Sequence, residues 1–510
     1  MDHLTMRIHS FHLLSLLVML AASLRSAGAE RLNVLMIMTD DLNCDLGAYG
    51  HPLVQSPHLD RLAEEGMVFQ NAYCNFPLCG PSRASFMTGL YPEQNGVTSL
   101  RRLFRHYVPG ALTLSQHFRA NGYTPARVGK IYHYDNPNGI GTNGHDDPDS
   151  WDIRINPIGR DKEEEDRIFS LVPGKFGATL SWLAAEGSDE EQTDGKVAAE
   201  SIRLLRKFKE EEAPFFLGVG FYKPHTPFVA PKKYFDLYDP AEIEVPRVPT
   251  GYRDTIPKPA ARRVTAFKSQ IDLPEETARQ AIHAYYATIS FMDAQIGRVL
   301  KELDKLGLKD NTIVLFASDH GYHMGEHGHY QKNTLFESAD RVPLIISYPE
   351  MKRKGETTAA LVEMIDFYKT LADLAGIDVA PSYVQGHSLV PILKDPQNTV
   401  REAAITQLAN GYTIRTDRYR YTKWPEEKGP NVELYDRLSD PKEMVNLAAD
   451  PKYRDIIEKL DPIWERRVKE ITQIPEGLHF VKPEAKDNGI SRDQYRELEK
   501  AGQLPRYQSL

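Results

Sequence analysis

Cys79 is the residue whose surroundings point most directly to chemistry. It lies in the stretch FPLCGPSRASFMTG, residues 76–89, and Gly-Pro-Ser-Arg follows it at the predicted start of a helix. The chain has three cysteines, an odd number that leaves at least one thiol outside any disulfide. A buried structural cysteine is the alternative interpretation. Its position before Gly-Pro-Ser-Arg makes Cys79 the candidate for a role other than a structural one.

Acidic residues stand where two predicted strands end. Asp40 and Asp41 close the apolar run that begins at residue 32, and the run of residues 311–319 ends in Asp319, followed by His320. Because ligands gather at the carboxyl ends of strands in open α/β sheets, we expect these side chains to lie together. A single aspartate would be read as a turn or helix-cap residue. Three clustered carboxylates repel one another and require a cation.

Further basic residues follow a third predicted strand and fill a later loop. The stretch FYKPHTPF places Lys223 and His225 beyond the strand, although singly they would be a solvent-facing lysine and a hydrogen-bonded histidine. The loop contains a cluster of metal-ligand types: His323, Glu326, His327 and His329. Their spacing fits no zinc motif, so we interpret them as loop structure or pocket walls.

The elements that must position these residues alternate between strands and helices. Apolar runs at residues 32–40, 214–222 and 311–319 are typical of parallel strands buried on both faces. One helical pattern begins at Asp194, and a second extends over residues 275–306. This alternation predicts an α/β fold with a large mixed, mainly parallel sheet covered by helices.

The pattern of apolar and polar residues changes after residue 380. Residues 411–424 alternate as exposed antiparallel strands do, and a charged helix is predicted over residues 451–470. We predict a smaller C-terminal α+β subdomain with an antiparallel sheet, and an irregular segment from Pro475. The predicted division is residues 1–29, 30–380 and 381–510.

The N-terminus predicts export. An apolar run at residues 13–22 is followed by the small-residue signal Ala27-Gly28-Ala29, which is typical of a secretory signal peptide over residues 1–29. The run is too short for stable membrane insertion. We expect a periplasmic or extracellular protein, or a lysosome-like compartment in a eukaryote.

Charge limits the class of partner. The 510 residues carry a net charge of -9 and have a pI near 6.0, which opposes a general nucleic-acid or anionic-membrane binder. No nucleic-acid module, glycine-rich phosphate loop or serine triad is present. Arg101, Arg102 and Arg105 could meet an anionic glycan, but a solvated basic turn is the simpler expectation.

Six ordered motifs resemble those of type I sulfatases of the alkaline phosphatase superfamily, and are most similar to the iduronate-2-sulfatase branch. They extend over residues 33–447 and include CGPSR, VGKIYH, GFYKPHTPF, SDHGYHMGEHGHYQK, DFYKTLADLAGI and LYDRLSDPKEMVNLA. The strongest is CGPSR, which fits the C-x-P-x-R signature and continues into MTG. The resemblance implies an alkaline-phosphatase-like sandwich, with residues 30–380 as the catalytic domain.

The resemblance also implies a modified residue and a metal. Family members convert the signature cysteine to Cα-formylglycine through a maturation enzyme, and Cys79, Pro81 and Arg83 match, whereas Gly80 replaces the usual Ser or Ala. An aldehyde hydrate has two geminal hydroxyls, so one attacks sulfur and deprotonation of the other expels sulfate. The implied metal shell is a set of five residues: Asp40, Asp41, Cys79, Asp319 and His320. The donors favour Ca²⁺ or Mg²⁺, and the family favours Ca²⁺.

The remaining roles follow from matched motif positions. Arg83 and Lys130 would orient the hydrated nucleophile, and His133 resembles the base that acts after sulfur is captured. His225 and Lys332 resemble the pair that binds sulfate and assists the leaving alcohol.

We expect an exported sulfatase that hydrolyses O-sulfate esters of a sulfated, uronic-acid-containing polysaccharide or oligosaccharide. One alternative keeps the fold and makes the protein a phosphodiesterase or phosphonate monoester hydrolase. The other is a catalytically silent, metal-stabilised glycan-binding protein.

Overall fold

A computed structural model describes residues 31–377, 379–424, 431–484 and 489–503. The predicted signal peptide, residues 1–29, lies outside the described residues. The strands, in chain order, are β1 (Asn33–Asp40), β2 (Met67–Tyr73), β3 (Thr124–Gly129), β4 (Ile153–Ile155), β5 (Phe169–Ser170), β6 (Ser181–Ala185), β7 (Phe215–Pro224), β8 (Phe228–Pro231), β9 (Thr312–Ser318), β10 (Arg341–Val342), β11 (Leu344–Ser347), β12 (Glu356–Glu363), β13 (Ala404–Leu408), β14 (Gly411–Arg415), β15 (Tyr419–Lys423) and β16 (Val432–Asp436).

The helices connect these strands. In chain order they are α1 (Pro57–Glu65), α2 (Cys79–Thr88), α3 (Pro92–Asn95), α4 (Leu114–Ala120), α5 (Arg160–Glu163), α6 (Thr193–Glu211), α7 (Lys232–Phe235), α8 (Lys258–Val264), α9 (Glu275–Lys305), α10 (Glu337–Asp340), α11 (Asp366–Ala375), α12 (Val390–Lys394), α13 (Arg454–Thr472) and α14 (Arg492–Lys500).

The large sheet has the strand order β10-β2-β11-β9-β1-β7-β3-β4, and β12 pairs with β2. At its centre β1 is parallel to both β7 and β9, and β3 is parallel to β7. Only β10 and β11 run antiparallel to their neighbours among the described pairings of this sheet. The predicted mixed, mainly parallel sheet is therefore confirmed.

Side-chain alternation along β1 explains its continuous apolar run. Leu35 and Ile37 enter one core together with α6 and α9, whereas Val34, Met36 and Met38 enter a second core together with α2 and α11. Both faces of the strand are buried, so polar residues appear only at its two ends.

The C-terminal part forms its own antiparallel sheet, in the order β13-β14-β15-β16, and α13 packs on it. The antiparallel pairing was predicted, but the expected exposure is wrong, because β14 is buried along its whole length. The irregular segment expected from Pro475 is also wrong in part, since α14 is helical. The boundary at residue 380 stays a prediction.

Buried ion pairs join the small sheet to the large one. Arg420 of β15 contacts Asp340 at 2.8 Å, Glu443 at 2.7 Å and Glu337 at 2.5 Å. In a second network, Arg467 of α13 lies 2.7 Å from Glu363, the last residue of β12. Charged pairs therefore cross the contact between the two sheets.

Within the described ranges, no helix has the length and apolar character needed to cross a bilayer.

Candidate active site

The candidate site lies where neighbouring strands end. Because β9, β1, β7 and β3 are adjacent and parallel, their carboxyl ends meet at one edge of the sheet. Asp40 is the last residue of β1, Asp319 and His320 follow β9, and Lys130 follows β3, all fully buried. Asp41 has a left-handed φ of 64°, which turns the chain at the strand end. The predicted grouping of carboxylates is confirmed.

Cys79 begins α2 and faces this edge. Its Sγ lies 3.3 Å from Nε2 of His320, 3.5 Å from Oδ1 of Asp40, 3.5 Å from Nζ of Lys332 and 4.0 Å from Oδ1 of Asp41. Burial raises the pKa of the thiol well above its usual range, although the two lysines that flank it oppose this shift. An unmodified thiol here is protonated and is a poor nucleophile.

Arg83 lies one turn after Cys79 on α2 and fixes the helix to three strand ends. Its Nε donates to Oδ2 of Asp319 at 2.9 Å, Nη2 to the carbonyl of Thr39 at 2.8 Å, and Nη1 to the carbonyl of Lys130 at 2.6 Å. The planar guanidinium has donors pointing in several directions, which a lysine lacks. Arg83 therefore sets the position of residue 79 relative to the carboxylates.

The two adjacent carboxylates differ in their protonation. Burial alone would raise the pKa of Asp40, but the charges of Lys130, His225 and Arg83 outweigh it and hold the pKa well below its usual range. Lys130 Nζ lies 2.5 Å from Oδ2 of Asp40. For Asp41, burial raises the pKa to about 7, and the neighbouring carboxylates add to this although Lys332 opposes it. The cluster is short of positive charge around Asp41.

The donor set fits a divalent cation. Ligand atoms of Asp40, Asp41, Cys79 and His225 lie within 4.8 Å of one another, and so do those of Cys79, Asp319 and His320. Within the described part of the chain, Oδ2 of Asp41 is buried and has no hydrogen-bond partner. Carboxylate oxygens in this number are the donors that Ca²⁺ and Mg²⁺ prefer. Among the described residues, no such group includes the later histidines of the 321–336 loop.

Two histidines approach the site, and burial lowers the pKa of each. For His133, burial and the charge of Lys130 lower the pKa well below its usual range. Its ring packs edge-on against His145, with centroids 5.3 Å apart. For His225, burial and the charge of Lys332 lower the pKa in the same way. His225 Nδ1 contacts the carbonyl of Thr226 at 2.5 Å, and Nε2 lies 3.6 Å from Oδ2 of Asp41.

Lys332 completes the cluster, whereas two other basic residues differ from expectation. Lys332 Nζ lies 2.5 Å from Oδ1 of Asp41. Lys223 does not face solvent: it is 2% exposed, and its Nζ donates to the carbonyl of Pro227 at 2.9 Å. Arg105 is not a solvated turn residue, because it forms an ion pair with Asp147 at 2.7 Å. Both belong to the supporting structure.

Some supporting residues were missed by the sequence analysis. Tyr285 Oη donates to the carbonyl of Asp41 at 2.8 Å, and Ser318 Oγ accepts from the amide of Leu42 at 3.0 Å. Ser82 Oγ donates to the carbonyl of Asp319 at 2.5 Å. They hold the turns that carry the carboxylates. Tyr285 lies 244 residues from its partner, so no local pattern marks it.

Comparison with known families identifies the family of this chain. The family model described as Sulfatase matches residues 32–377, about two thirds of the chain. The chain belongs to the sulfatase family. A second model, described as N-sulphoglucosamine sulphohydrolase, C-terminal, matches residues 325–470 of this sulfatase.

Curated and solved relatives agree with the family. Iduronate 2-sulfatase of Mus musculus is 31% identical to this sulfatase over 533 residues, covering 87% of this chain and 95% of the relative. A solved structure of a complex with its substrate D-glucosamine-2-N,6-O-disulfate is 25% identical, with a TM-score of 0.68, and covers 86% of this chain and 98% of that one.

A phosphonate hydrolase shares the fold. The phosphonate monoester hydrolase of Agrobacterium radiobacter is 25% identical, with a TM-score of 0.72, and covers 89% of this sulfatase and 100% of that chain. The expected membership in the formylglycine-type sulfatases of the alkaline phosphatase superfamily is confirmed. The protein is a sulfuric ester hydrolase.

Proposed function

We propose that this sulfatase is exported and removes O-sulfate from a uronic-acid-containing polysaccharide or oligosaccharide. The observation that carries the site chemistry is the position of Cys79 Sγ, within 4.0 Å of two carboxylates, a lysine and a histidine. The uronic-acid substrate is supported by the similarity to iduronate 2-sulfatase over 87% of the chain.

Residue 79 acts as Cα-formylglycine in this proposal. Its hydrate supplies two hydroxyls where the thiol stands, one to attack sulfur and one whose deprotonation releases sulfate. The buried thiol itself is protonated and unsuited to this role. Conversion requires a formylglycine-generating maturation enzyme, for which Cys79, Pro81 and Arg83 provide the motif.

The cation would be held by Asp40, Asp41, Asp319 and His320, together with residue 79. When bound, it supplies positive charge that lowers the pKa of a hydroxyl and offsets the charge of sulfate. We propose Ca²⁺, because three buried carboxylates favour a hard cation. Burial lowers the pKa of His320 to about 4, and its Nδ1 lies 2.8 Å from the carbonyl of Gly321, which takes the one proton of the neutral ring and leaves Nε2 able to act as a ligand.

The basic residues of the site have different roles in the proposed reaction. Lys130 and Arg83 hold residue 79 and the carboxylates in position, as their contacts with Asp40 and Asp319 indicate. Neutral His133 removes the proton from the remaining hydroxyl after sulfur is captured. His225 takes up a proton from solvent on Nε2 and gives it to the departing sugar oxygen, while its Nδ1 stays bonded to the carbonyl of Thr226, and Lys332 binds the sulfate.

The test pairs a substrate screen with Cys79→Ala. We expect free sulfate from 2-O-sulfated uronic acid oligosaccharides, less from 6-O-sulfated hexosamines, and a loss of at least about 1000-fold in Cys79→Ala with the fold retained. Cys44→Ala is the control, since Cys44 is another free cysteine outside the cluster. Retained sulfate release in Cys79→Ala would refute the mechanism.

The two alternatives give different outcomes in the same screen. The hydrolase of Agrobacterium radiobacter, similar at a TM-score of 0.72, favours including a phosphonate monoester as a substrate. Faster turnover of that ester than of any sulfate ester would replace the proposal. If mass spectrometry of protein from its native host found Cys79 wholly unconverted, a silent glycan-binding protein would be favoured.

A further inference from the structure

The loop that carries Lys332 has little regular structure of its own. It connects β9 to α10 and contains one short turn, Glu326–Gly328, among its described residues. Nevertheless, Lys332 Nζ lies 2.5 Å from Oδ1 of Asp41 and 3.5 Å from Cys79 Sγ. A lysine has four rotatable side-chain bonds, so ordering its charged end is costly unless the backbone beneath it is fixed. The loop therefore needs an anchor close to Lys332.

His329 provides contacts of this kind. It is 3% exposed, and its Nε2 lies 2.9 Å from the backbone carbonyl of Lys332. Its Nδ1 lies 3.1 Å from the carbonyl of Val264, the last residue of α8. The ring thus bridges the backbone of Lys332 to a helix that lies more than sixty residues earlier in the chain.

The chemistry of these contacts assigns a direction to them. Carbonyl oxygens only accept hydrogen bonds, so a contacting ring nitrogen has to donate. The shorter contact places a hydrogen on Nε2, directed at Lys332. The loop is also fixed beyond Lys332, where the amide of Asn333 donates to the carbonyl of Pro77 at 3.2 Å.

We propose that His329 is a positioning residue for Lys332. Its Nε2–H donates to the Lys332 carbonyl, and the buried ring packs beside the end of α8, so the bond fixes the loop and keeps Nζ between Asp41 and residue 79. His329 touches none of the reacting groups, so its effect on turnover passes through Lys332. The inference rests on the proposed function only in giving Lys332 a role in turnover.

The test is a double-mutant cycle with an aryl sulfate, 4-nitrophenyl sulfate, as the substrate. We expect His329→Leu to lower kcat/KM by about 10- to 100-fold, because a shift of about 1 Å in a positioned group has an effect of this size. His329→Gln, whose amide keeps a donor, should recover part of the loss. In a Lys332→Ala background, His329→Leu should change kcat/KM by less than about twofold.

His283→Leu is the matched control. His283 on α9 is half-buried, and its Nε2 contacts the carbonyl of Phe235 at 2.8 Å, so the same kind of contact is lost away from the cluster. We expect its kcat/KM to stay within about twofold of the parent protein.

The outcomes distinguish the positioning role of His329 from the role proposed for Lys332 in turnover. Losses that multiply in the His329→Leu, Lys332→Ala double variant would overturn the positioning role, and so would a His329→Leu protein with full activity. Failure of both position-329 variants to fold would assign His329 to folding instead. Unchanged activity in Lys332→Ala alone would contradict the role proposed for Lys332, which is a different failure.

Discussion

We expect the loss of His133 and the loss of His225 to stop turnover at different stages. His225 protonates the departing alcohol, so His225→Ala should lose most activity on esters with poor leaving groups and little on activated aryl esters. His133 acts later, so His133→Ala should release about one equivalent of alcohol per enzyme before any sulfate appears. Rapid-quench measurement of both products checks this prediction.

The assignment has a clear contrary result. If both histidine variants show the same dependence on the leaving group, and neither releases alcohol ahead of sulfate, the roles are wrong even though the protein is a sulfatase. His145→Gln is the control for ring packing, because His145 contacts His133 at a centroid distance of 5.3 Å.

Asp319→Asn tests the cation at the same scale. The substitution keeps the size of the side chain and removes one carboxylate charge, so we expect weaker Ca²⁺ binding, a smaller rise in Tm on adding Ca²⁺, and lower activity. Exhaustive chelation should abolish turnover in the parent protein, and Ca²⁺ should restore it.

The control for charge is Asp310→Asn, since Asp310 is exposed at the opposite end of β9. Full activity after chelation, or equal Ca²⁺ affinity in Asp319→Asn and the parent protein, would contradict the proposed metal shell.

The grouping of site residues could be predicted where strand ends marked them. Asp40 and Asp319 each close an apolar run, and parallel neighbours bring such ends together. Lys223 and Arg105 could not be placed in this way. Lys223 is buried by the fold around it, although the Pro227 carbonyl that it contacts is only four residues away, whereas Asp147, the partner of Arg105, lies 42 residues away.

At the scale of elements, burial on two faces made β1 easy to predict and β14 difficult. β1 is apolar from residue 34 to residue 38, whereas β14 contains Thr413 and Arg415, which read as exposed. Arg415 is nevertheless 6% exposed, and its Nε lies 3.5 Å from a carboxylate oxygen of Glu337, at the start of α10. A charge buried by partners from another element carries no local signal of burial.

The network around Arg420 yields an element-scale prediction. Arg420→Met would leave Glu337, Asp340 and Glu443 without their shared cation, and an uncompensated buried charge costs about 3–5 kcal/mol. We expect a correspondingly lower urea midpoint. Arg418→Met is the matched control, because Arg418 is half-exposed and solvent screens its pair with Asp436. Equal losses in the two variants would contradict the prediction.

At the scale of the whole molecule, the C-terminal segment returns to the catalytic edge. Leu478 and Phe480 pack against the second core, and the amide of Gly489 donates to the carbonyl of Arg101 at 2.8 Å. The carbonyl of Ile490 lies 2.9 Å from Nε2 of His145, the ring that packs against His133. Ile490 is therefore two contacts away from His133, a candidate catalytic base.

Gly489→Val tests this connection. A Cβ at residue 489 would lie 2.7 Å from Cε1 of His145, whose ring is held from both sides, so His145 must press toward its neighbours. We expect kcat/KM to fall about 10-fold with little change in Tm. Gly110→Val is the control, because a Cβ there meets nothing within 4 Å. Equal activity in the two variants would contradict the link.

The enclosure of Cys79 has a consequence for how an active population of molecules arises. With 2% of its surface exposed, the folded cysteine gives no access to another protein's catalytic groups. The proposed conversion must therefore happen while the chain is still being made or exported. The specific activity of a preparation then measures the fraction of molecules that were converted before they folded. Molecules that fold unconverted stay inactive for their lifetime.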